Sequence, residues 1–118
     1  MIDRVSGREA FRRFRADGVR GRSGSLTVVV VSLDDVERPS VAFALSRSVG
    51  SAVVRNRLRR QLRVAANELF ERGELPPSAY LVIVHPSAVG STMTTLRDDL
   101  GRAVQRATSA PRSGRLVG

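Results

Sequence analysis

The side chains best suited to chemistry in this sequence are arginines near its middle. Six of them fall between positions 47 and 63, and no acidic residue stands between Glu37 and Glu68. A guanidinium donates paired hydrogen bonds to phosphate and stacks on bases, which an ammonium group does not. The cluster is therefore typical of a surface that binds RNA. The alternative interpretation is a solvated helix face that acids elsewhere in the chain balance.

The charge of the whole chain also favours a polyanionic partner. The formal net charge is +9, the sequence pI is about 11.7, and all 20 cationic residues are arginine. Residues 1–66 hold 14 arginines against 6 acids, whereas residues 67–118 hold 6 against 5. We therefore expect the binding surface to be built mainly from the first half of the chain.

Groups that could perform hydrolysis are scarce. His85 is the only histidine and the chain has no cysteine, so no second imidazole or thiolate can complete a metal site or a catalytic pair with it. The adjacent acids Asp34-Asp35 and Asp98-Asp99 do not resemble a two-metal site, because neighbouring side chains on a helix diverge. We predict neither catalytic nor metal-binding residues.

The chain is long enough for one domain, which we assign to residues 1–108, with a disordered basic tail over 109–118. The lack of cysteine fits a cytoplasmic protein. The longest apolar run, Ala79 to Val84, is too short to cross a membrane, so no membrane partner is expected.

The first predicted element is a helix over about residues 7–17. Ser6 and Glu9 have capping-box spacing, and Gly18 provides a left-handed stop. Phe11 and Phe14 form its short apolar face, and they either stack on unpaired bases or anchor the helix to the core. The residues alone leave both roles open.

The rest of the chain predicts three strands and two helices around one core. The segment 19–25, rich in Gly, Arg and Ser, predicts a loop. The other predicted elements are a strand over Leu26–Leu33, a second strand over Val41–Ser46 antiparallel to it, a helix over 52–72, a strand over Ala79–Val84 parallel to the second, and a helix over 95–107.

The long helix over 52–72 carries the arginine cluster. Gly50-Ser51 begins it and Gly73 ends it. On a helical wheel its apolar side chains fall on one arc, and Arg55, Arg59 and Arg63 form the ridge beside that arc. The side chains of the apolar arc are Val54, Leu58, Leu62, Ala65 and Leu69.

The stretch from Ser46 to Arg60, SRSVGSAVVRNRLRR, closely resembles the signature of bacterial ribonuclease P proteins. In that family a strand leads through a small and basic segment into Gly-x-Ala-Val, and then into Arg-Asn-Arg and a basic pair. The resemblance covers roughly residues 4–107. It implies an α+β sandwich with a small central sheet, α-β-β-α-β-α order and a left-handed β-α-β crossover.

The resemblance also implies a function without a protein active site. The protein would assist a catalytic RNA that binds Mg²⁺ and removes the 5′ leader from precursor tRNA, with about one protein for each RNA. The implied RNA-binding residues are Arg47, Arg55, Asn56, Arg57, Arg59, Arg60 and Arg63. The candidates for the leader cleft are Phe11, Phe14, Arg12 and Arg15.

Two other function classes compete with this interpretation. A general basic RNA-binding protein would use the same helix with no link to tRNA maturation. A protein nuclease is disfavoured because the sequence shows neither a histidine pair nor a carboxylate cluster.

Overall fold

A five-stranded mixed sheet forms the centre of the computed structural model, which describes residues 2–4, 8–32 and 37–109. Short 3₁₀ turns follow β4 and β5, at Arg47–Val49 and Pro86–Ala88. In chain order the elements are β1 (Asp3–Arg4), α1 (Arg8–Asp17), β2 (Val19–Ser23), β3 (Leu26–Val31), β4 (Ser40–Leu45), α2 (Ala52–Glu71), β5 (Ala79–Val84) and α3 (Met93–Ser109).

The strands lie in the order β1-β4-β5-β3-β2. β4 is parallel to β1 and β5, and β3 is antiparallel to β5 and β2. Helices α2 and α3 cover one face of the sheet, where Leu26, Val28, Tyr80 and Val82 lie in the main core. Helix α1 covers part of the other face through Phe14. The predicted α+β fold with helices on a small sheet is confirmed.

The predicted loop over 19–25 is wrong, because residues 19–23 form the edge strand β2. Gly24 has a φ of +56°, which suits the tight turn that joins β2 to β3 as a hairpin. The segment lacks the β-branched run that marks β3, so its own residues give a weak strand signal. Its strand form depends on pairing with β3.

The second correction concerns the neighbours of β4. β3 and β4 run in opposite directions as predicted, but β5 lies between them and pairs with both. The β4, α2 and β5 segments form the predicted β-α-β unit with parallel strands. The left-handed sense of this crossover stays a prediction.

The ends of the helices follow the sequence signals in part. Ser51 caps α2 by accepting a hydrogen bond from the Val54 N–H at 3.4 Å, and Gly73 follows its last turn with a φ of +74°. Gly18 ends α1 in another way than predicted, because its φ is not left-handed. A Cβ there would overlap Val29 and the Phe14 carbonyl, so Gly18 permits close packing.

Three further predictions meet the limits of the described ranges. The Ser6 cap and the Asp34-Asp35 pair lie outside them. Helix α3 extends two residues past its predicted end, through Ser109, which removes that residue from the predicted tail, and residues 110–118 lie outside the described part of the chain.

Close contact between β2 and α3 gives a testable consequence at Gly21. A Cβ at this position would overlap the backbone atoms of Ala103 and Ala107, which cannot rotate away. We expect Gly21→Ala to lower the free energy of unfolding by about 1–3 kcal/mol in urea denaturation.

The matched control is Gly101→Ala in α3, where the new Cβ would meet the Leu69 side chain at an ordinary 3.6 Å. Because alanine favours a helix over glycine, we expect this variant to be about as stable as the original chain or up to ~1 kcal/mol more stable. Equal stability of the two variants would contradict the packing of α3 on β2.

Candidate nucleic-acid interface

Helix α2 is fixed to the molecule by its apolar face. Leu58, Leu62 and Leu69 are buried against the sheet and α3, and Ala65 and Ala66 let the helix approach closely. The predicted core arc is therefore confirmed, with Val54 half-buried at its margin. This burial directs the arginines of the helix to the outside.

The predicted RNA-binding side chains differ in exposure. Arg47 lies in the 3₁₀ turn before α2 and is exposed, as are Asn56, Arg57 and Arg60 on the helix. Arg55, Arg59 and Arg63 are half-buried and lie closer to the sheet. Together they form one continuous cationic surface along α2 and the turn that precedes it, which we call the α2 surface.

Local contacts hold several of these side chains in place. The Asn56 Oδ1 atom accepts a hydrogen bond from Arg59 Nη1 at 3.1 Å, which leaves the Asn56 amide nitrogen as a donor. The Arg63 guanidinium lies over the Phe43 ring at 5.6 Å from its centroid, as a cation–π pair. The buried Arg55 Nε atom has no hydrogen-bond partner within the described structure.

Acidic side chains do not neutralise the α2 surface. The ion pairs among described residues join Arg38 to Asp3 at 3.9 Å and Arg97 to Glu68 at 3.2 Å. Glu68 is the first acid on α2, and it turns toward α3 instead of toward the arginines. The balanced, solvated helix face considered from the sequence is therefore not supported by the described contacts.

The face of the sheet that carries α1 forms a second candidate surface. Register places Ala44, Ile83, Thr27 and Arg22 side by side in one row across β4, β5, β3 and β2. A second row holds Ala42, Leu81, Val29 and Arg20 in the same strand order. Directly paired residues point to the same side of a sheet. We call this side the α1 face, and none of the residues that β2 to β5 place on it is acidic.

The two phenylalanines of α1 have different environments. Phe14 is 4% exposed and packs on Val29, Val31 and Ala79, so it serves as a core anchor. Phe11 is 39% exposed and meets the Phe14 ring edge-on at 5.9 Å between centroids. Phe11 therefore has the free ring surface needed to stack on a base, and Phe14 supports it from below.

The cations of α1 lie around these rings. Arg12 and Arg15 are exposed, and Arg13 is half-buried with its Nη2 atom donating to the Ser32 carbonyl at 3.4 Å. Helix α1 thus adds positive charge beside the α1 face, as the sequence predicted for its outer side.

An open pocket of about 530 Å³ lies where the ends of β4 and β5 meet the start of α2. Its apolar lining includes Ala44 and Ile83, and its polar lining includes Ser46, Ser48, Arg59 and His85. Because Arg59 belongs to the α2 surface and Ala44 to the α1 face, the pocket joins the two surfaces.

His85 has a structural role at this pocket. One ring nitrogen, Nε2, lies 2.8 Å from the Thr27 hydroxyl, and the backbone N–H donates to the Ser25 carbonyl. These contacts bind the end of β5 to β3. The ring is half-buried, so it also presents a polar edge to the pocket.

Groups that could bind metal are not assembled within the described residues. No three of their His, Asp or Glu side chains come together in a way that could hold an ion. Asp99 accepts a hydrogen bond from the Ser23 hydroxyl at 3.3 Å beside the β2–β3 turn, whereas Asp98 is exposed. Burial raises the pKa of Tyr80 to about 12, and its hydroxyl donates to the Pro76 carbonyl inside the fold.

Sequence reasoning missed Arg20, Arg22 and His85 as members of these surfaces. The two arginines became surface candidates only when β2 was found to be a strand with a defined register. The alternation of Arg with Gly and Ser over 20–23 was the available signal, since a period of two is typical of a strand.

Comparison with known proteins places the chain in a family. The family model for ribonuclease P matches residues 2–108. The chain belongs to the ribonuclease P protein family. Ribonuclease P protein components from Nocardioides and Thermus scotoductus are 38% and 37% identical to it over 111 and 102 residues. The matches cover 90% and 86% of this chain, and 88% and 58% of those proteins.

Solved ribonuclease P proteins share the fold at low sequence identity. The Staphylococcus aureus protein superposes with a TM-score of 0.77 at 18% identity, covering 91% of this chain and 96% of that one. The Thermotoga maritima protein gives 0.76 at 19% identity, covering 88% and 96%. No helix among the residues described for this ribonuclease P protein family member is long and apolar enough to span a membrane.

The exposed arginines of the α2 surface give a direct test of RNA binding. We expect the double variant Arg57→Gln/Arg60→Gln to bind a structured RNA more weakly, with the slope of log K against log salt reduced by about 2, because each phosphate contact contributes about 1. Filter binding over a salt series measures both quantities.

The matched control is Arg72→Gln/Arg102→Gln, which removes two exposed arginines on the side of α3. It lowers the net charge equally but leaves the α2 surface intact. If both double variants lose the same affinity and the same slope, binding depends on net charge alone and α2 is not a docking surface.

Proposed function

We propose that this chain is the protein subunit of a bacterial ribonuclease P and helps a catalytic RNA remove the 5′ leader from precursor tRNA. The observation that carries the proposal is the un-neutralised α2 surface, joined through the pocket at Ala44 and Arg59 to the acid-free α1 face. One surface would hold the catalytic RNA and the other the leader.

Helix α2 docks on the catalytic RNA. Arg57 and Arg60 are exposed for phosphate contacts, and the Asn56–Arg59 hydrogen bond holds a guanidinium and an amide donor side by side. The Arg55 Nε atom, buried and without a partner in the described structure, gains one from a phosphate or a base edge. The leucine face stays in the core, so the helix presents these groups without refolding.

The leader binds on the α1 face. Phe11 stacks on an unpaired base while Arg12 and Arg15 contact the phosphates near it. Ala42 and Ala44 leave room above β4, and the pocket beside them is large enough for one nucleotide. Its mixed lining, apolar at Ile83 and polar at His85, suits a base with a flat face and a polar edge.

Hydrolysis is assigned to the RNA, with Mg²⁺ held by its phosphates. The protein contributes positive charge, which lowers the repulsion between catalytic RNA and substrate and so permits Mg²⁺ binding at lower concentration. The described residues offer no carboxylate cluster for a protein-bound ion. We place about one protein on each RNA, in the cytoplasm.

The decisive experiment is reconstitution. Cleavage of a precursor tRNA is measured at low millimolar Mg²⁺ with a bacterial ribonuclease P RNA alone, with the protein alone, and with both. We expect leader removal at an appreciable rate only when both are present, and recovery of the RNA-alone reaction when Mg²⁺ is raised.

Two outcomes would overturn the proposal in different ways. A protein that binds RNA yet leaves cleavage unchanged would be a general RNA-binding protein. Cleavage by the protein alone would indicate a protein nuclease and would refute the assignment of catalysis to RNA.

Phe11 provides a residue-level test of the leader site. We expect Phe11→Ala to lower the affinity of the assembled enzyme for precursor tRNA by about 1–3 kcal/mol, the contribution of one stacked base, and to leave affinity for mature tRNA unchanged. Phe11→Tyr keeps a flat ring and should retain most of the affinity. Competition binding with precursor and mature tRNA measures the difference.

Phe14→Ala is the contrasting variant. Its ring is buried among valines, so its removal should destabilise the fold by about 3–5 kcal/mol. Unchanged precursor affinity in Phe11→Ala, with the fold intact, would exclude a stacking role on α1.

A further inference from the structure

We infer that the leader path continues across the sheet to β2, where Arg20 and Arg22 bind the phosphates of leader nucleotides beyond those held near β4. This inference rests on the proposed function and adds a second set of leader contacts at the far edge of the same face. It makes the number of leader nucleotides, and not only their presence, a determinant of affinity.

The first argument is the register of the sheet. Arg22 ends the row that begins at Ala44, and Arg20 ends the row that begins at Ala42. With strands about 4.8 Å apart, each row spans roughly 14 Å from β4 to β2. Four-stranded sheets of other RNA-binding domains hold two or three unpaired bases over such a width.

The second argument is the side of the sheet on which these arginines lie. Arg20 is directly opposite Val29, which contacts Phe14, and Arg22 is opposite Thr27, which bonds to His85. Both guanidinium-bearing side chains are exposed and share the α1 face with Phe11 and the pocket. The nearest described acid in the sequence is Asp17, three residues before Arg20.

The third argument is that the surface between the pocket and β2 is open and not acidic. Leu81, Ile83 and His85 are half-buried, whereas α1 fully covers the neighbouring residues Val29, Val31 and Ala79. A strand entering at the pocket therefore has a path beside α1, over His85, toward Arg22. Asp99, the acid at the β2–β3 turn, bonds to Ser23, whose side chain lies on the opposite face.

A structural explanation of the same arginines leads to different behaviour. Charged side chains on an edge strand discourage pairing with other chains, and Arg106 already occupies the β2 edge by donating to the Arg22 carbonyl at 2.6 Å. Under that explanation the two side chains would affect aggregation but not the dependence of affinity on leader length.

The experiment uses the assembled enzyme, made from the full chain and a bacterial ribonuclease P RNA, with precursor tRNAs that carry leaders of about 2, 5 and 15 unstructured nucleotides. The variant is Arg20→Gln/Arg22→Gln, and the charge-matched control is Arg72→Gln/Arg102→Gln. Equilibrium affinity is measured for each leader over a salt series.

We expect the β2 variant to weaken binding of the longest leader by about fivefold, as exposed charge pairs do, with no change for the 2-nucleotide leader. The slope of log K against log salt should fall by about 1.4 for the longest leader, because a single strand contributes about 0.7 for each phosphate. The control should match the original chain at every length.

Three results would overturn the inference. Equal affinities of the β2 variant and the control for the longest leader leave Arg20 and Arg22 as edge protection only. Equal weakening at all three lengths assigns them to the catalytic RNA or to the mature tRNA. If the original chain itself shows no gain in affinity with leader length, leader binding under the proposed function fails first, which separates that failure from failure at β2.

Discussion

The burial of one face of α2 against the sheet holds together a helix that its own charges weaken. Arginines four residues apart repel each other by a few tenths of a kcal/mol for each pair. Each buried leucine contributes about 1.5–3 kcal/mol, and Leu58, Leu62 and Leu69 are all buried. Burial therefore outweighs repulsion, and the cations are held in position before any RNA binds. Docking relieves the remaining repulsion, so binding energy is not consumed in forming the helix.

The parallel pairing of β4 and β5 brings the two surfaces together. Parallel neighbours end at the same edge of the sheet, and α2 begins just beyond the end of β4. The last residues of both strands therefore lie beside the first turns of the arginine helix, where they line one pocket with Arg59. A long crossover helix that begins at a strand end is thus sufficient to place an RNA-docking surface next to an open sheet face.

Elements with strong local patterns were predictable, and those defined by pairing were not. The β-branched run of β3, the apolar stretch of β5 and the apolar arc of α2 carry their own signals, and the structure has all three. Strand β2 has the sequence VRGRS, which lacks branched side chains and owes its form to β3. The insertion of β5 between β3 and β4 joins residues about forty apart, which no periodicity encodes.

The same division applies to the candidate interface. A helical period shows which arginines share a face of α2, so those positions followed from the sequence. Phe11 and Phe14 share a face of α1 as well, yet only docking on Val29 and Val31 makes one ring a core anchor and leaves the other exposed. For Arg20 and Arg22 the side of the sheet depends on register with β3, because a slip of one residue would place both on the α3 side. The charge on a strand is therefore visible in the sequence, but the surface that it serves is decided by the neighbouring strand.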